Sequence, residues 1–429
     1  MLPPPARRPL LLAAGAALLL LTLALAFRGL LAPRQEVSLL AWGSPAERPS
    51  LEGLLREFER RHWRLKAALE LVPSPELAAA TLRGRVREGR PPDAVLLRDE
   101  DLDALLAEDA LLPLDADPGE AVGQITALRS AFERQGRARA LPVGWSVLML
   151  YYDRGLFEAR GLPAPRDFWD WGDLLAAAQA LLLRDEDGAK VLRHGLALEG
   201  SAAEVAAFLW QNRGQVTDEK GAWALTDPRF AQSNEEALRF YASLVGAHRV
   251  APLPGQGGAR PLFAAKRAAM AIGPRRWAAE LADAKDLDWD ISPLPKGRES
   301  ATCLEVYGCG VPRGARNPAA GARLAAFLAR EASQAILSAP GGMAPSRVPL
   351  LGSKLFLEFP PRRPAQNDAL VRCLPFARPL AFGPQTREAS AILSAEARAL
   401  MAAPAASARA ALARMQESLE KLGGAKPPP

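Results

Sequence analysis

The pair Arg275-Arg276, followed directly by Trp277, sets two bidentate cations beside a flat indole. In a cleft, such groups suit a carboxylate, a phosphate or a hydroxylated ring. The acidic run Asp99-Glu100-Asp101, with Asp103 behind it, offers carboxylates for hydroxyl binding. The same run also reads as a charge cap on a helix start, where the helix dipole favours anions. Glu199, after the apolar stretch Leu196-Ala197-Leu198, supplies a further acid. Catalytic spacings are missing. The chain has no P-loop, no G-x-G-x-x-G after a strand, and no G-x-S-x-G, H-E-x-x-H or C-x-x-C. The nearest approach, Gly144-Trp145-Ser146-Val147-Leu148, lacks the second glycine of a nucleophile elbow. His62, His194 and His248 lie far apart, and three Cys with three His are too few and too dispersed for a structural zinc site. No catalytic residue, metal or cofactor is expected.

The aromatic side chains carry more information. Nine are Trp against four Tyr, and Trp42, Trp145 and Trp277 each stand near the end of a short apolar run. Rigid rings at the carboxyl ends of strands in an α/β sheet line the crevice where such folds bind ligands. A Trp face matches the apolar face of a pyranose; the alternative role for each ring is to fill the core. Trp63, Trp169 and Trp171 fall in helical segments and read as packing residues.

Short apolar runs alternate with amphipathic stretches from residue 36 onward, the pattern of α/β layers. Strands are expected at 37–42, 69–72, 93–97, 147–152, 268–272 and 289–291. Helices are expected from Ser50, and over 99–108, 169–183, 202–211, 234–245, 319–337, 386–401 and 407–422. Composition agrees: 49% hydrophobic and 24% charged over 429 residues, so the chain is neither disordered nor polytopic. The net charge of +6 invites a nucleic-acid partner, but 45 of the 54 basic residues are Arg, in a chain also rich in Ala, Leu and Pro. That bias reflects GC-rich coding, and no basic stripe with interleaved aromatics is found for single-stranded nucleic acid.

Residues 1–35 stand apart. Arg7 and Arg8 precede an apolar run of 18 residues from Leu10 to Phe27, the layout of an export signal. Ala24-Leu25-Ala26 offers a small-x-small cleavage site before Phe27. An uncleaved anchor is the alternative, because such a run is just long enough to span a bilayer. No Cys follows for lipid attachment. Export permits disulfides, and Cys303, Cys309 and Cys373 leave open either a Cys303–Cys309 bridge or three free thiols.

A family pattern emerges from Leu141-Pro142-Val143-Gly144-Trp145 through Leu150-Tyr151-Tyr152-Asp153 to Phe157, and then Gly161-Leu162-Pro163-Ala164-Pro165 before Trp169. It continues at Phe263-Ala264-Ala265-Lys266-Arg267-Ala268-Ala269-Met270, at Gly308-Cys309-Gly310, at Asn317-Pro318-Ala319-Ala320 and at Gly341-Gly342-Met343-Ala344-Pro345-Ser346-Arg347. In this order the elements resemble the extracellular solute-binding proteins of ABC importers, in particular the sugar-binding, maltose-binding-protein-like group. The resemblance spans roughly residues 36–422. It implies a two-lobed α/β fold of the periplasmic-binding-protein type (type II), its lobes joined by crossover hinge segments and closed by carboxyl-terminal helices. The implied division is 36–141 and 308–352 for one lobe, with 142–307 and 353–429 for the other.

The resemblance further implies a monomeric binding protein, outside the cytoplasm, that captures a sugar or oligosaccharide between its lobes and delivers it to ABC permease subunits. Asp153 stands where the family has Asn, a small departure. Residue by residue, the ligand positions carried over are Trp42, Gly43 and Ser44 after the first strand, Asp99 and Glu100, Trp145 and Ser146 at a crossover, Glu199, the Arg275-Arg276-Trp277 group, and Tyr307 at the second crossover. Leu97 replaces a stacking Trp and Ser146 an acid, which weighs against a maltose-like ligand, while the two arginines suit an acidic sugar. If the apolar run 10–27 is retained, a membrane-tethered solute sensor is the alternative. A secreted carbohydrate-active enzyme would need facing carboxylates, which sequence alone does not locate.

Overall fold

The computed structural model describes residues 34–114, 123–281, 284, 286–339, 342–358, 364–403 and 406–423, so the apolar run 10–27 lies outside the described residues. Short apolar runs build β1 (Gln35–Trp42), β3 (Ala94–Arg98) and β4 (Ala140–Asp153), and the half-buried β2 (Leu65–Val72) lies at the edge beside β1. Later strands are β5 (Val191–Ala197), β6 (Ala268–Pro274), β7 (Trp289–Ser292), β8 (Thr302–Gly310) and β9 (Ala377–Pro379).

Two of these strands belong to both halves of the molecule. All 14 residues of β4 are buried. Its first half pairs antiparallel with β8, from Ala140 opposite Gly310 to Val147 opposite Leu304. Its second half pairs with β6 and β7 instead. β8 likewise meets β3 through Tyr307–Gly310 and β9 through Thr302–Leu304. The path β2-β1-β3-β8-β4-β6-β5 is therefore one curled sheet serving two lobes. One apolar core fills the amino-terminal lobe around Leu39, Phe58 and Leu324; a second fills the other lobe around Phe208, Tyr241 and Leu412. A third, with Trp145, Tyr151 and Trp289, runs across both.

Helices cover the sheet, half of them begun by a side-chain cap. They are α1 (Arg48–Arg61), α2 (Pro75–Arg87), α3 (Asp99–Ala107), α4 (Trp171–Leu181), α5 (Ala202–Gln211) and α6 (Ala231–Ser243). After them come α7 (Pro318–Leu328), α8 (Glu331–Ser338), α9 (Thr386–Ala402) and α10 (Ala408–Leu422). Ser74, Asp170, Ser201, Asn317 and Ser407 each accept a backbone N–H in the first turn of the helix they precede.

Several sequence expectations need correction. α1 begins at Arg48 rather than after Ser50, because Pro49 is best accommodated in a first turn. Trp63 is not helical: α1 stops at Arg61, and the indole lies in the turn beyond it, 49% exposed. The single helix expected over 319–337 is two. Arg330 is extended, and the carbonyls released at the break are claimed from elsewhere: Ser333 Oγ donates to Phe327, and Gln334 Nε2 and Arg347 Nε donate to Ala329. Cys303, Cys309 and Cys373 are all buried free thiols. Cys303 and Cys309 share one strand, where six residues span about 20 Å, far beyond the reach of a disulfide.

Close packing between β5 and α4 depends on Gly195, where a Cβ would fall 1.8 Å from the Ala178 carbonyl oxygen. Gly195→Ala should therefore lower stability by about 1–3 kcal/mol, read as a reduced urea midpoint. An unchanged midpoint would mean that this helix can lift off the sheet at no cost.

Candidate functional site

Between the lobes lies a cleft of about 560 Å³. Its floor is the crossover pair, with Leu148 of β4 and Glu305 of β8. One wall comes from the amino-terminal lobe: Glu76 in the first turn of α2, Arg98 ending β3, and Glu100 opening α3. The facing wall holds Arg276 and Trp277 beyond β6, Glu199 to Glu204 at the start of α5, and one stripe of α9. That stripe is Arg387, Ser390, Ala391, Ser394 and Arg398, spaced as a single helical face.

Charge organises this space. Arg98 is only 6% exposed, and four carboxylates surround its guanidinium. Glu76 lies at 3.0 Å, Glu100 is in direct contact, Asp101 is at 3.9 Å and Glu305 at 4.0 Å. Burial alone would lower the Arg98 pKa, but this ring of acids outweighs burial and raises it. Glu305 accepts the Tyr307 hydroxyl at 2.7 Å and stands 3.8 Å from Arg276 Nε. The lobes are also bridged directly. Arg387 Nε of α9 donates to Asp101 Oδ1 of α3 at 2.6 Å, and Asp101 is 1% exposed. Arg276 is less committed, since its Nε is buried with no acceptor within hydrogen-bond range.

At the mouth of α5, Glu204 is 1% exposed and takes the Gly200 N–H at 2.8 Å, the Ser201 N–H at 3.2 Å and the Tyr241 hydroxyl. Glu199 accepts the Ala259 N–H at 2.6 Å. Trp277 is held by close packing: a Cβ on Gly273 would meet its ring at 2.1 Å, and the Tyr151 ring lies 5.6 Å away at a 40° tilt. Trp277 is the sole aromatic among the lining residues. Guanidinium donors and carboxylate acceptors on every side match a solute whose hydroxyls can do both. Among the described residues, no group of His, Cys, Asp and Glu is arranged to hold a metal ion.

Of the positions singled out from sequence, Glu100, Glu199, Arg276 and Trp277 come together in the cleft. The others do not line it. Asp99 is buried behind the wall, where its Oδ1 accepts the Val306 N–H at 3.0 Å and ties α3 to β8. Trp145 is fully buried, its Nε1 donating to Pro345 O at 2.8 Å, and Ser146 is fully buried opposite Glu305 in the ladder. Arg275 points the other way, with Nη2 donating to Asn367 Oδ1 at 2.6 Å. Trp42 packs edge-on against Tyr307 at 4.9 Å inside the amino-terminal lobe. Gly43 donates to Val72 O, and the Ser44 N–H to Glu47 Oε2 at 2.8 Å.

Sequence reasoning missed Glu76, Arg98, Glu204, Glu305, Arg387 and Arg398. Two of these carry a local signal: Arg98 ends an otherwise apolar strand, and Glu305 interrupts the buried run Cys303-Leu304-Glu305-Val306-Tyr307. A charge there must face something other than the core. Arg387 and Arg398 have no such signal, because their stripe on α9 becomes a wall only once the lobes meet.

Burial also sets the pH response. It pushes Asp99, Glu100 and Glu204 up to about 7. A carboxyl whose pKa is higher in the folded state keeps its proton longer there than when unfolded, so folding is favoured at low pH and loses this contribution as pH climbs towards the folded value. The melting temperature should fall between about pH 4 and about pH 7. Glu204→Gln, which keeps an acceptor but cannot ionise, should flatten that fall. An unchanged slope would take Glu204 out of the account.

Comparison with known proteins places this geometry. Residues 54–349 match the family described as bacterial extracellular solute-binding protein. An ABC substrate-binding protein of Listeria monocytogenes, solved in complex with cycloalternan, superposes with a TM-score of 0.80 at 20% identity, covering 91% of this chain and 99% of that one. Maltose-bound MalE3 of T. maritima gives 0.76 at 19% identity, covering 90% and 99%. UgpB of Mycobacterium tuberculosis, in complex with glycerophosphocholine, gives 0.76 at 19% identity, covering 91% and 98%. At such identities these neighbours establish the fold, two α/β lobes with shared crossover strands, and the family match covers more than two thirds of the sequence. The chain belongs to the bacterial extracellular solute-binding protein family.

Proposed function

We propose that this protein is the extracytoplasmic solute-binding component of an ABC importer. On this reading it captures a sugar or oligosaccharide between its lobes and presents it to a membrane permease. The observation that carries this reading is the cleft itself. Its floor is made of the two strands common to both lobes, and its walls carry opposed arginines and carboxylates already joined by Asp101–Arg387. Lobes connected only through β4, β8 and carboxyl-terminal segments have the connectivity for closing around a solute by bending at the crossovers. The named neighbours support a hydroxylated ligand, since they hold cycloalternan, maltose and glycerophosphocholine. The lobe boundaries proposed are 36–141 with 308–352, and 142–307 with 353–429.

Within the cleft, Arg276 is assigned to the ligand, because its buried Nε lacks an acceptor, and Glu199 is assigned with it. Glu305 positions both arginines at the floor. The test is a thermal-shift screen with mono- and oligosaccharides, sugar acids and sugar phosphates, followed by calorimetry. A true ligand at 100 times its Kd should stabilise the fold by about 2.7 kcal/mol. Arg276→Ala should weaken that ligand about tenfold or more while leaving the melting temperature of the free protein nearly unchanged. A screen in which only amino acids or peptides bind would overturn the carbohydrate reading. Full affinity in Arg276→Ala would overturn the cleft assignment.

A further inference from the structure

The first turn of α9 carries a cation that its own helix does not favour. Arg387 is the second residue of α9, and the positive end of a helix dipole repels a guanidinium. Its partner is on the other lobe. α9 packs on α5, α6 and α10, whereas α3, with Asp101 in its first turn, packs on β3 and β8. The 2.6 Å bond from Arg387 Nε to Asp101 Oδ1 thus runs from lobe to lobe, beside the cleft residues Glu100 and Ser390. Among the described residues Asp101 is the sole carboxylate within ion-pair distance of Arg387. Bending at the crossovers that parts the two walls must break this bond.

Breaking it would strand a buried carboxylate, which is costly unless a second cation takes over. Arg98 is placed to do so. Its Nη1 faces Glu76 at 3.0 Å and its Nη2 contacts Glu100, which leaves Nε. Arg98 Nε is buried without a hydrogen-bond acceptor, Asp101 Oδ2 is buried without a donor, and the two stand 3.9 Å apart. A shift of about 1 Å turns that contact into a hydrogen bond. Arg387 needs no such replacement, because its side chain is already 29% exposed and water can solvate it as the walls part. We propose that Asp101 exchanges partners as the lobes move, held by Arg387 when the cleft is closed and by Arg98 Nε when it is open. The Asp101–Arg387 pair is then a latch that keeps the solute-free cleft largely closed, and its strength sets the fraction of molecules open to a solute. Both residues act by positioning the lobes. The inference rests on the solute-binding reading only for the use made of closure, and it holds for any solute.

The test follows the lobes directly, in the full chain with no solute added. Leu77→Cys on α2 and Leu253→Cys on the other lobe, both exposed, take a donor and an acceptor dye, while the three native thiols are buried. Single-molecule energy transfer should show a dominant short distance and a minor long one. Arg387→Gln should raise the long-distance population about tenfold. Its melting temperature should stay nearly unchanged, because Asp101 passes to Arg98. Arg387→Lys, which keeps the charge, should recover most of the short form. Asp101→Asn should open the cleft to a similar degree, and adding Arg387→Gln to it should open the cleft no further. A parent chain that shows only the long distance would overturn the proposal, as would equal populations in the parent and Arg387→Gln. So would a failure of Arg387→Lys to restore the short form, or single effects that add in the double variant. Should Asp101→Asn not fold, the two Arg387 variants decide alone. A carbohydrate screen that finds no ligand leaves these outcomes standing, and loss of the latch leaves the solute-binding reading standing.

Discussion

The antiparallel pairing of β4 with β8 is the constraint from which the rest of the molecule follows. Seven residue pairs, from Ala140–Gly310 to Val147–Leu304, fix two long strands side by side, and each continues into the other lobe. Because every residue of β4 is buried, a one-residue slip would drive each side chain into the core on the opposite face of the sheet. The one irregularity falls between Tyr307 and Gly308, where Phe132 packs so closely that a Cβ on Gly308 would sit 2.7 Å from its ring. With that register set, Glu305 has one position available: at the floor of the cleft, between an arginine from each lobe.

The charge cluster around that floor is costly to assemble. Removing Arg98, Asp101 and their partners from water carries a penalty that mutual attraction recovers only with good geometry. The cluster is therefore weak ground for stability and better ground for specificity. Arg98 holds Glu76, Glu100, Asp101 and Glu305 in place, while Asp101 turns its other oxygen to Arg387 across the gap. A solute entering the cleft meets side chains already held in position rather than a flexible lining, so less ordering remains to be done when it binds.

How far the sequence could be read depended on whether a residue's role was local. Strand positions and the helices α5, α9 and α10 were visible from apolar spacing, because periodicity acts within a few residues. The order of short motifs carried the two-lobed fold. The cleft was only partly legible. Glu100, Glu199, Arg276 and Trp277 were within reach, because acids and aromatics at strand ends in α/β sheets tend towards the crevice. Trp42 and Trp145 followed the same rule into the interior, one against Tyr307 and the other onto the Pro345 carbonyl. Which way these strand-end side chains point is settled by contacts 200 or more residues away along the chain, and no local pattern encodes it. The break at Arg330 depends instead on a group 18 residues from Ala329, the Arg347 guanidinium that claims one of the freed carbonyls.

Because β8 sits between β3 and β4, the sheet of the amino-terminal lobe lacks its middle strand until residue 310 has been made. The Asn317 N–H must then find Asp93, 224 positions earlier, to close that lobe. Contacts of such span are slow to form and give nothing back until both ends are present. A chain emerging amino terminus first thus carries most of its length before either lobe can lock. The interleaved topology thus defers the closing of both lobes to the last part of the chain to be made.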